Sequence, residues 1–220
     1  MNVYVVVEGR VVEKAVYQVW IPEVNNTLAP VQYLDEVVQN NFYIVSGEGY
    51  PYYFKIIDAA LEDVGQGNTF DRLVICIDSE DVGLEDKRGE VTEHVTASAH
   101  AGIDYRVVVQ HFCFEAWALG NRTIGPRHPQ NPTLQRYRAF YNVATHDPEG
   151  LSSPPDEQLT RSQFAEKYLR LMLNDRNKNL TYSKSNPSVV AHPKYYHQLV
   201  WRLADTGHIK SFQAFIDAFL

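Results

Sequence analysis

Short apolar runs alternate with amphipathic segments along the first 110 residues. The runs at 3–7, 42–45, 72–78 and 105–110 are mostly β-branched, which is typical of strands buried on both faces of a parallel sheet. Apolar spacing predicts a helix from Glu13 that Pro22 ends early, a helix over 52–64 closed by a glycine-rich turn at 65–68, and a polar helix over 85–100. This alternation predicts a mostly parallel, Rossmann-like α/β sheet with helices on both faces.

The pattern changes after residue 120, where no further strand is predicted. Prolines at 126, 129 and 132 mark a loop, and apolar spacing then predicts helices over 134–143, 161–173, 195–204 and 211–219. We therefore expect an α/β catalytic domain over residues 1–125 and a helical extension over residues 126–220 that packs on it.

Composition narrows the class of protein. With 220 residues and 45% apolar content the chain can bury one generous core. The net charge of −7 argues against general electrostatic binding of nucleic acid by the whole surface, although it permits a local basic patch. Cys76 and Cys113 lie in apolar runs, which indicates buried thiols in the cytoplasm. All apolar runs are strand-length, so we expect a soluble protein without a membrane partner.

Two of the apolar runs end in carboxylates. Glu8-Gly9 follows the first run, and Asp78 closes the third. Ligands of parallel sheets bind beyond the carboxyl ends of the strands, where both acids are expected. Glu80 would share a face with Asp78 if the extended conformation persisted, and Asp81 is available from the turn. Such a cluster favours Mg²⁺ or Mn²⁺, although Asp78 alone is equally well explained as a helix cap.

A third acid follows the fourth run. Glu115 lies inside the apolar segment 111–121, and a buried glutamate needs a partner or a metal. The alternative is that Glu115 lies on the exposed side of a short helix. His111 in the same segment is expected to be a structural histidine.

These segments together resemble the Toprim family, which includes topoisomerases, bacterial primases and OLD-type nucleases. The family pattern of a strand ending in Glu-Gly and a later strand ending in Asp-x-Asp is matched at residues 5–9 and 74–81. The closer resemblance is to the RloB-like, small stand-alone members of bacterial defence loci, because Glu8, Gly9 and Glu13 match Glu-Gly-x-x-x-Glu and residues 113–119 match Cys-Phe-Glu-x-Trp-x-Leu. The middle motif reads Asp-x-Glu-Asp, so either Glu80 or Asp81 takes the second ligand role.

The resemblance implies a Toprim fold and an Mg²⁺- or Mn²⁺-dependent nuclease acting on DNA, tRNA or another RNA, as an effector of anti-phage defence. Glu8 would be a general acid or base as well as a ligand, and Lys184 is the candidate for the family's assisting lysine. The implied metal ligands are Glu8, Glu13, Asp78, Glu80, Asp81 and Glu115. The candidates for nucleic-acid contact are Arg10, Lys14, Arg122 and Arg127, with Arg136 and Arg138 as further basic residues, although such side chains are usually just solvated.

A second hypothesis is a non-catalytic Toprim-like subunit that docks on an ATPase or another defence protein through its helical extension. Dependence of nuclease activity on metal, Glu8 and Asp78 separates the two hypotheses. A general nucleotide-binding domain is disfavoured, because Glu8-Gly9-Arg10 lacks the repeated glycines of a phosphate-binding loop.

Overall fold

A five-stranded parallel sheet forms the centre of the protein. The computed structural model describes residues 1–67, 69–100 and 102–220, so Asn68 of the predicted turn lies outside it. The strands, in the spatial order β2-β3-β1-β4-β5, are β1 (Val3–Val7), β2 (Ala29–Val31), β3 (Asn41–Ser46), β4 (Arg72–Asp78) and β5 (Tyr105–Gln110). The predicted parallel α/β fold is confirmed. The prediction missed β2, because three residues that include a proline give no apolar run.

Helices cover both faces of the sheet. Among the described residues they are α1 (Val12–Val24), α2 (Tyr53–Gln66), α3 (Leu84–Thr96), α4 (Phe114–Ala118), α5 (Pro132–Phe140), α6 (Arg161–Arg176), α7 (Pro193–Thr206) and α8 (Ser211–Ala218). Asn131 caps α5 and Thr160 caps α6 through side-chain hydrogen bonds to backbone N–H groups. In the part of the chain that is described, no helix has the length and apolar character needed to cross a bilayer.

The predicted early end of the first helix is wrong. Pro22 lies inside α1, which continues to Val24, and the N–H of Asn25 closes the last turn on the carbonyl of Ile21. A proline removes one backbone hydrogen bond, and this loss falls in the final turn of the helix. Burial of Trp20 and Ile21, both fully buried, offsets that loss.

Alternate strand residues supply two hydrophobic cores. Val3, Val5 and Val7 belong to a core that includes α1, α4 and the helices after residue 130, whereas Tyr4 and Val6 belong to a core with α2 and α3. The carboxy-terminal helices therefore share one core with a face of the sheet. The two cysteines are free and buried in these layers, as predicted.

The strand register brings the carboxyl ends of the central strands to one edge. Val7 pairs with Ser46 on one side and with Cys76 on the other, and Asp78 pairs with Gln110. The residues that follow β1 and close β4 and β5 are therefore neighbours in space.

Ser211, the first residue of α8, connects this edge to the carboxy-terminal helices. Its hydroxyl accepts hydrogen bonds from the His111 N–H (3.1 Å) and the Trp117 indole N–H (2.6 Å), and it donates to Glu149. Burial raises the pKa of Glu149 to about 7, even though the hydrogen bonds from Ser211 act to lower it.

Glu149→Gln is expected to stabilise the protein at pH 8 but not at pH 5. Between pH 4.5 and about 7 the folded protein holds a proton on Glu149 that the unfolded chain has lost, so the free energy of unfolding falls as pH rises through this window. The gain at pH 8 should be on the order of 1–2 kcal/mol, because Glu149 is only half-buried. Urea unfolding at both pH values measures it, and an equal effect of the substitution at pH 5 and pH 8 would contradict the assignment.

Candidate functional site

A pocket of about 450 Å³ opens at the carboxyl edge of the sheet. It brings together five of the six predicted metal ligands and the predicted lysine. The charged residues that line it are Glu8, Arg10, Glu13, Glu48, Asp78, Glu80, Glu115 and Lys184. The predicted motifs, which are distant in sequence, therefore converge on one place.

Glu8 and Glu13 enter the pocket from the connection between β1 and α1. The Glu8 carboxylate accepts a hydrogen bond from the backbone N–H of Asp78 at 2.9 Å, which joins the ends of β1 and β4. Glu13 lies in the first turn of α1 and is only 5% exposed. Its carboxylate lies over Gly9, where an added Cβ would be 2.3 Å from Oε2. A larger residue at position 9 would therefore collide with the Glu13 carboxylate.

Asp78 is held by a buried amide. The Gln110 side chain donates to Asp78 Oδ1 at 2.7 Å and accepts from the Tyr17 hydroxyl at 2.6 Å. Gln110 is fully buried at the end of β5, directly opposite Asp78 in the register. The chain from Tyr17 through Gln110 fixes the orientation of the Asp78 carboxylate.

Glu115 is buried, so the alternative of an exposed helix face is wrong. Only 2% of the residue is exposed, and its Oε1 accepts a hydrogen bond from the Tyr182 hydroxyl at 2.8 Å. Tyr182 is itself buried, and Lys184, two residues later, lines the pocket. The segment between α6 and α7 therefore contributes part of the pocket wall.

The extended conformation does not persist beyond Ser79. Glu80 has a left-handed φ of 48°, and its N–H donates to the Phe112 carbonyl at 2.7 Å. This turn leaves Glu80 in the same pocket as Asp78, whereas Asp81 lies outside it and lines a neighbouring pocket. The Ser79 hydroxyl and His111 Nδ1 lie 2.8 Å apart, which gives His111 a structural partner.

The pocket carries excess negative charge. Burial is the largest cause that raises the pKa values of Glu8, Glu13 and Asp78, and repulsion among the neighbouring carboxylates raises them further. The pKa of Lys184 is also raised, because attraction to Glu115 and Asp78 exceeds the opposing effect of burial. Lys184 is therefore protonated at neutral pH.

The other predicted basic residues are divided between two places. Arg10 lines the pocket and forms an ion pair with Glu48, while Lys14 is half-buried in the first turn of α1. Arg122 and Arg127 line a separate pocket of about 190 Å³, and Arg122 is paired with Asp205 at 2.8 Å. The structure therefore does not bring Arg122 and Arg127 to the carboxylate pocket.

The donor set fits a hard divalent cation. Several carboxylate oxygens line the pocket. Two basic residues are among its described lining: Arg10 is paired with Glu48, whereas Lys184 forms no ion pair with another described residue. Within the described ranges, no three His, Cys, Asp or Glu side chains are arranged to hold a metal ion together. Mg²⁺ does not require such a group, because it is commonly bound by one or two carboxylates, water and a substrate phosphate.

Searches against protein-family models, curated proteins and solved structures found no match to this chain. The Toprim resemblance therefore stays a prediction that rests on the three motifs.

Three residues of this edge were missed by the sequence analysis. Gln110 ends a strand at the same edge as Asp78, so its position was a usable signal. No signal in the sequence pointed to Tyr182 beyond its nearness to Lys184. Lys87 lies in the polar helix α3, yet its ammonium group counteracts the raised pKa of Glu8.

Proposed function

We propose that this protein is an Mg²⁺- or Mn²⁺-dependent nuclease that hydrolyses phosphodiester bonds of DNA or RNA. The observation that carries the proposal is the convergence of Glu8, Glu13, Asp78, Glu80 and Glu115 on one pocket at the carboxyl edge of a parallel sheet. The pKa values of Glu8, Glu13 and Asp78 are raised there, which indicates a site that gains stability by binding a cation.

Glu8 and Asp78 are the residues best placed to hold the ion. Their strands are adjacent and the Glu8 carboxylate bonds to the Asp78 backbone, so both carboxylates have defined positions. A divalent ion held by these carboxylates would supply an activated water molecule and would neutralise charge on the leaving oxygen. The raised pKa of Glu8, caused chiefly by burial, also suits a group that accepts and returns a proton.

Lys184 supplies positive charge to the pocket. It is protonated, faces the acids and is close enough to lower the pKa of Glu13 by attraction. A phosphate that enters the pocket needs such a counter-charge, because the surrounding carboxylates repel it. We assign Lys184 the role of holding the substrate phosphate.

The biological role that we propose is based on the Toprim resemblance. A stand-alone nuclease of this kind would be a cytoplasmic effector of anti-phage defence, restrained or directed by an ATPase or another defence subunit. The free, buried state of Cys76 and Cys113 is compatible with a reducing compartment.

Metal-dependent cleavage is the expected result when the purified protein is incubated with labelled single-stranded DNA, duplex DNA and RNA. Products should form with Mn²⁺ or Mg²⁺ and should be absent in EDTA, because the carboxylates alone repel the phosphate. A Glu8→Ala protein prepared in the same way should be inactive, which excludes a contaminating nuclease. Equal cleavage in EDTA would refute the proposal, and absence of cleavage on every substrate would favour the non-catalytic subunit.

A further inference from the structure

A second pocket adjoins the carboxylate pocket across a ridge made by Glu8, Asp78 and Glu80. It has a volume of about 310 Å³ and shares these three residues with the first pocket. Its remaining lining comes from the loop before α2 and the first residue of α2, from the turn after β4, and from the first half of α3. These residues are Tyr50, Tyr53, Ser79, Asp81, Val82, Lys87 and Glu90.

Tyr53 lines this pocket and carries a buried hydroxyl that has no hydrogen-bond partner among the described residues. The residue is 1% exposed, yet its hydroxyl makes no hydrogen bond in the structure. A buried hydroxyl without a partner lowers stability, because no hydrogen bond offsets the loss of its water contacts. Its pKa is raised to a value far above that of free tyrosine, by burial first and then by Glu90 and Glu8, so the group is a neutral donor. A ligand atom in the pocket would supply the missing partner.

Tyr50 presents an exposed aromatic ring at the same pocket. The residue is 66% exposed, although its ring contacts the rings of Tyr53 (centroids 6.0 Å apart) and Phe54 (6.5 Å). Lys87 Nζ lies 5.3 Å from the ring centroid. The ring is therefore supported by its neighbours and retains free surface for stacking.

The charges of the pocket select the part of a nucleic acid that it can hold. Lys87 is its one basic residue among the described lining, and it is paired with Glu90 at 2.6 Å. Asp81 and Glu80 add further acceptors. A phosphate would be repelled by these carboxylates, whereas the amino groups of a base and the hydroxyl groups of a sugar are donors that they can accept.

We propose that this second pocket binds one unpaired nucleoside of the substrate strand, next to the phosphate in the first pocket. The base stacks on Tyr50, and the Tyr53 hydroxyl and the carboxylates of Asp81 and Glu80 bond to its polar groups. A base held in this way cannot remain paired in a duplex, so the substrate is single-stranded at the cleavage point. This inference rests on the proposed nuclease function and names its substrate class.

Equilibrium binding tests the inference separately from cleavage. Fluorescently labelled single-stranded oligonucleotides, of DNA and of RNA, and a duplex of the same length are titrated with the full chain at low salt, with Ca²⁺ in place of Mg²⁺ or Mn²⁺ so that the carboxylates carry a cation. At least one single strand should bind about ten-fold or more tightly than the duplex. Tyr50→Ala should weaken that binding about 5- to 100-fold, in line with the loss of one stacked base.

Tyr53→Phe is the decisive variant. It removes only the hydroxyl, which has no partner in the protein, so the melting temperature should stay the same or rise while single-strand binding weakens about 3- to 10-fold. Tyr33→Ala is the matched control, because Tyr33 is 63% exposed and lies outside both pockets. Binding that is unchanged in both Tyr50→Ala and Tyr53→Phe overturns the inference, as does equal affinity for duplex.

Cleavage assays in Mn²⁺ separate this failure from that of the proposed function. Metal-dependent cleavage with normal binding by both tyrosine variants would remove the nucleoside site and leave the nuclease intact. Weakened binding by these variants in a protein that never cleaves would support the pocket and remove the catalytic proposal.

Discussion

Glu8→Gln and Asp78→Asn should each lower the rate of metal-dependent cleavage by about 10³-fold, while the protein stays folded. Removing one fixed electrostatic group from an active site commonly lowers the rate by this order. Both substitutions keep the shape of the side chain, and both retain an oxygen that can accept the existing hydrogen bonds from Asp78 N–H and from Gln110. Single-turnover cleavage in Mn²⁺ measures the loss.

The same substitutions should not destabilise the metal-free protein at pH 8. The raised pKa values of Glu8 and Asp78 show that the folded state disfavours their charged forms, chiefly because of burial. Neutral Gln and Asn remove that penalty, so the free energy of unfolding should rise. Loss of activity together with a gain of stability is typical of a charge retained for function.

Glu62→Gln is the control, since Glu62 is an exposed acid on α2 outside both pockets. It should change neither rate nor stability. Full activity in either Glu8→Gln or Asp78→Asn would contradict the assigned roles, and a lower melting temperature in both would indicate that these carboxylates serve the fold instead.

The edge of the sheet could be predicted because strands carry a strong pattern. The apolar stretches 3–7 in β1 and 73–77 in β4 are continuous, so their ends, and the acids Glu8 and Asp78 at those ends, follow from the sequence. Parallel pairing then places both acids at one edge. Glu115 was correctly expected to need a buried partner, although its partner was unknown.

The partners themselves depend on contacts between distant segments. Tyr182 reaches Glu115 across 67 residues, and Gln110 reaches Tyr17 across 93. No local periodicity records such pairs. The backbone conformation of Glu80 differs from the prediction for another reason. The Glu80 N–H donates to the Phe112 carbonyl, and the extended conformation ends one residue earlier than expected. The pattern specified the strands, whereas tertiary contacts decided the turn.

Trp20 connects the sheet domain to the carboxy-terminal helices. It is fully buried on α1 and its indole N–H donates to the Val190 carbonyl at 3.2 Å. Its ring lies within 6.4 Å, between centroids, of six aromatic rings from α1, α4, α7 and α8. These belong to Tyr17, Phe114, Tyr195, Tyr196, Phe212 and Phe215. Trp20 is therefore a central contact between the two predicted regions.

Trp20→Ala should lower the free energy of unfolding by about 3–5 kcal/mol, since a buried tryptophan leaves a large cavity. This is a large part of the roughly 5–15 kcal/mol that stabilises a typical domain. Urea unfolding followed by circular dichroism measures it, and a single transition is expected because both regions share one core. Trp201→Ala is the matched control: Trp201 is 60% exposed, so its loss should change stability by less than about 0.5 kcal/mol. Two separate transitions in the wild-type protein would show that the extension folds independently, against the continuity of the core.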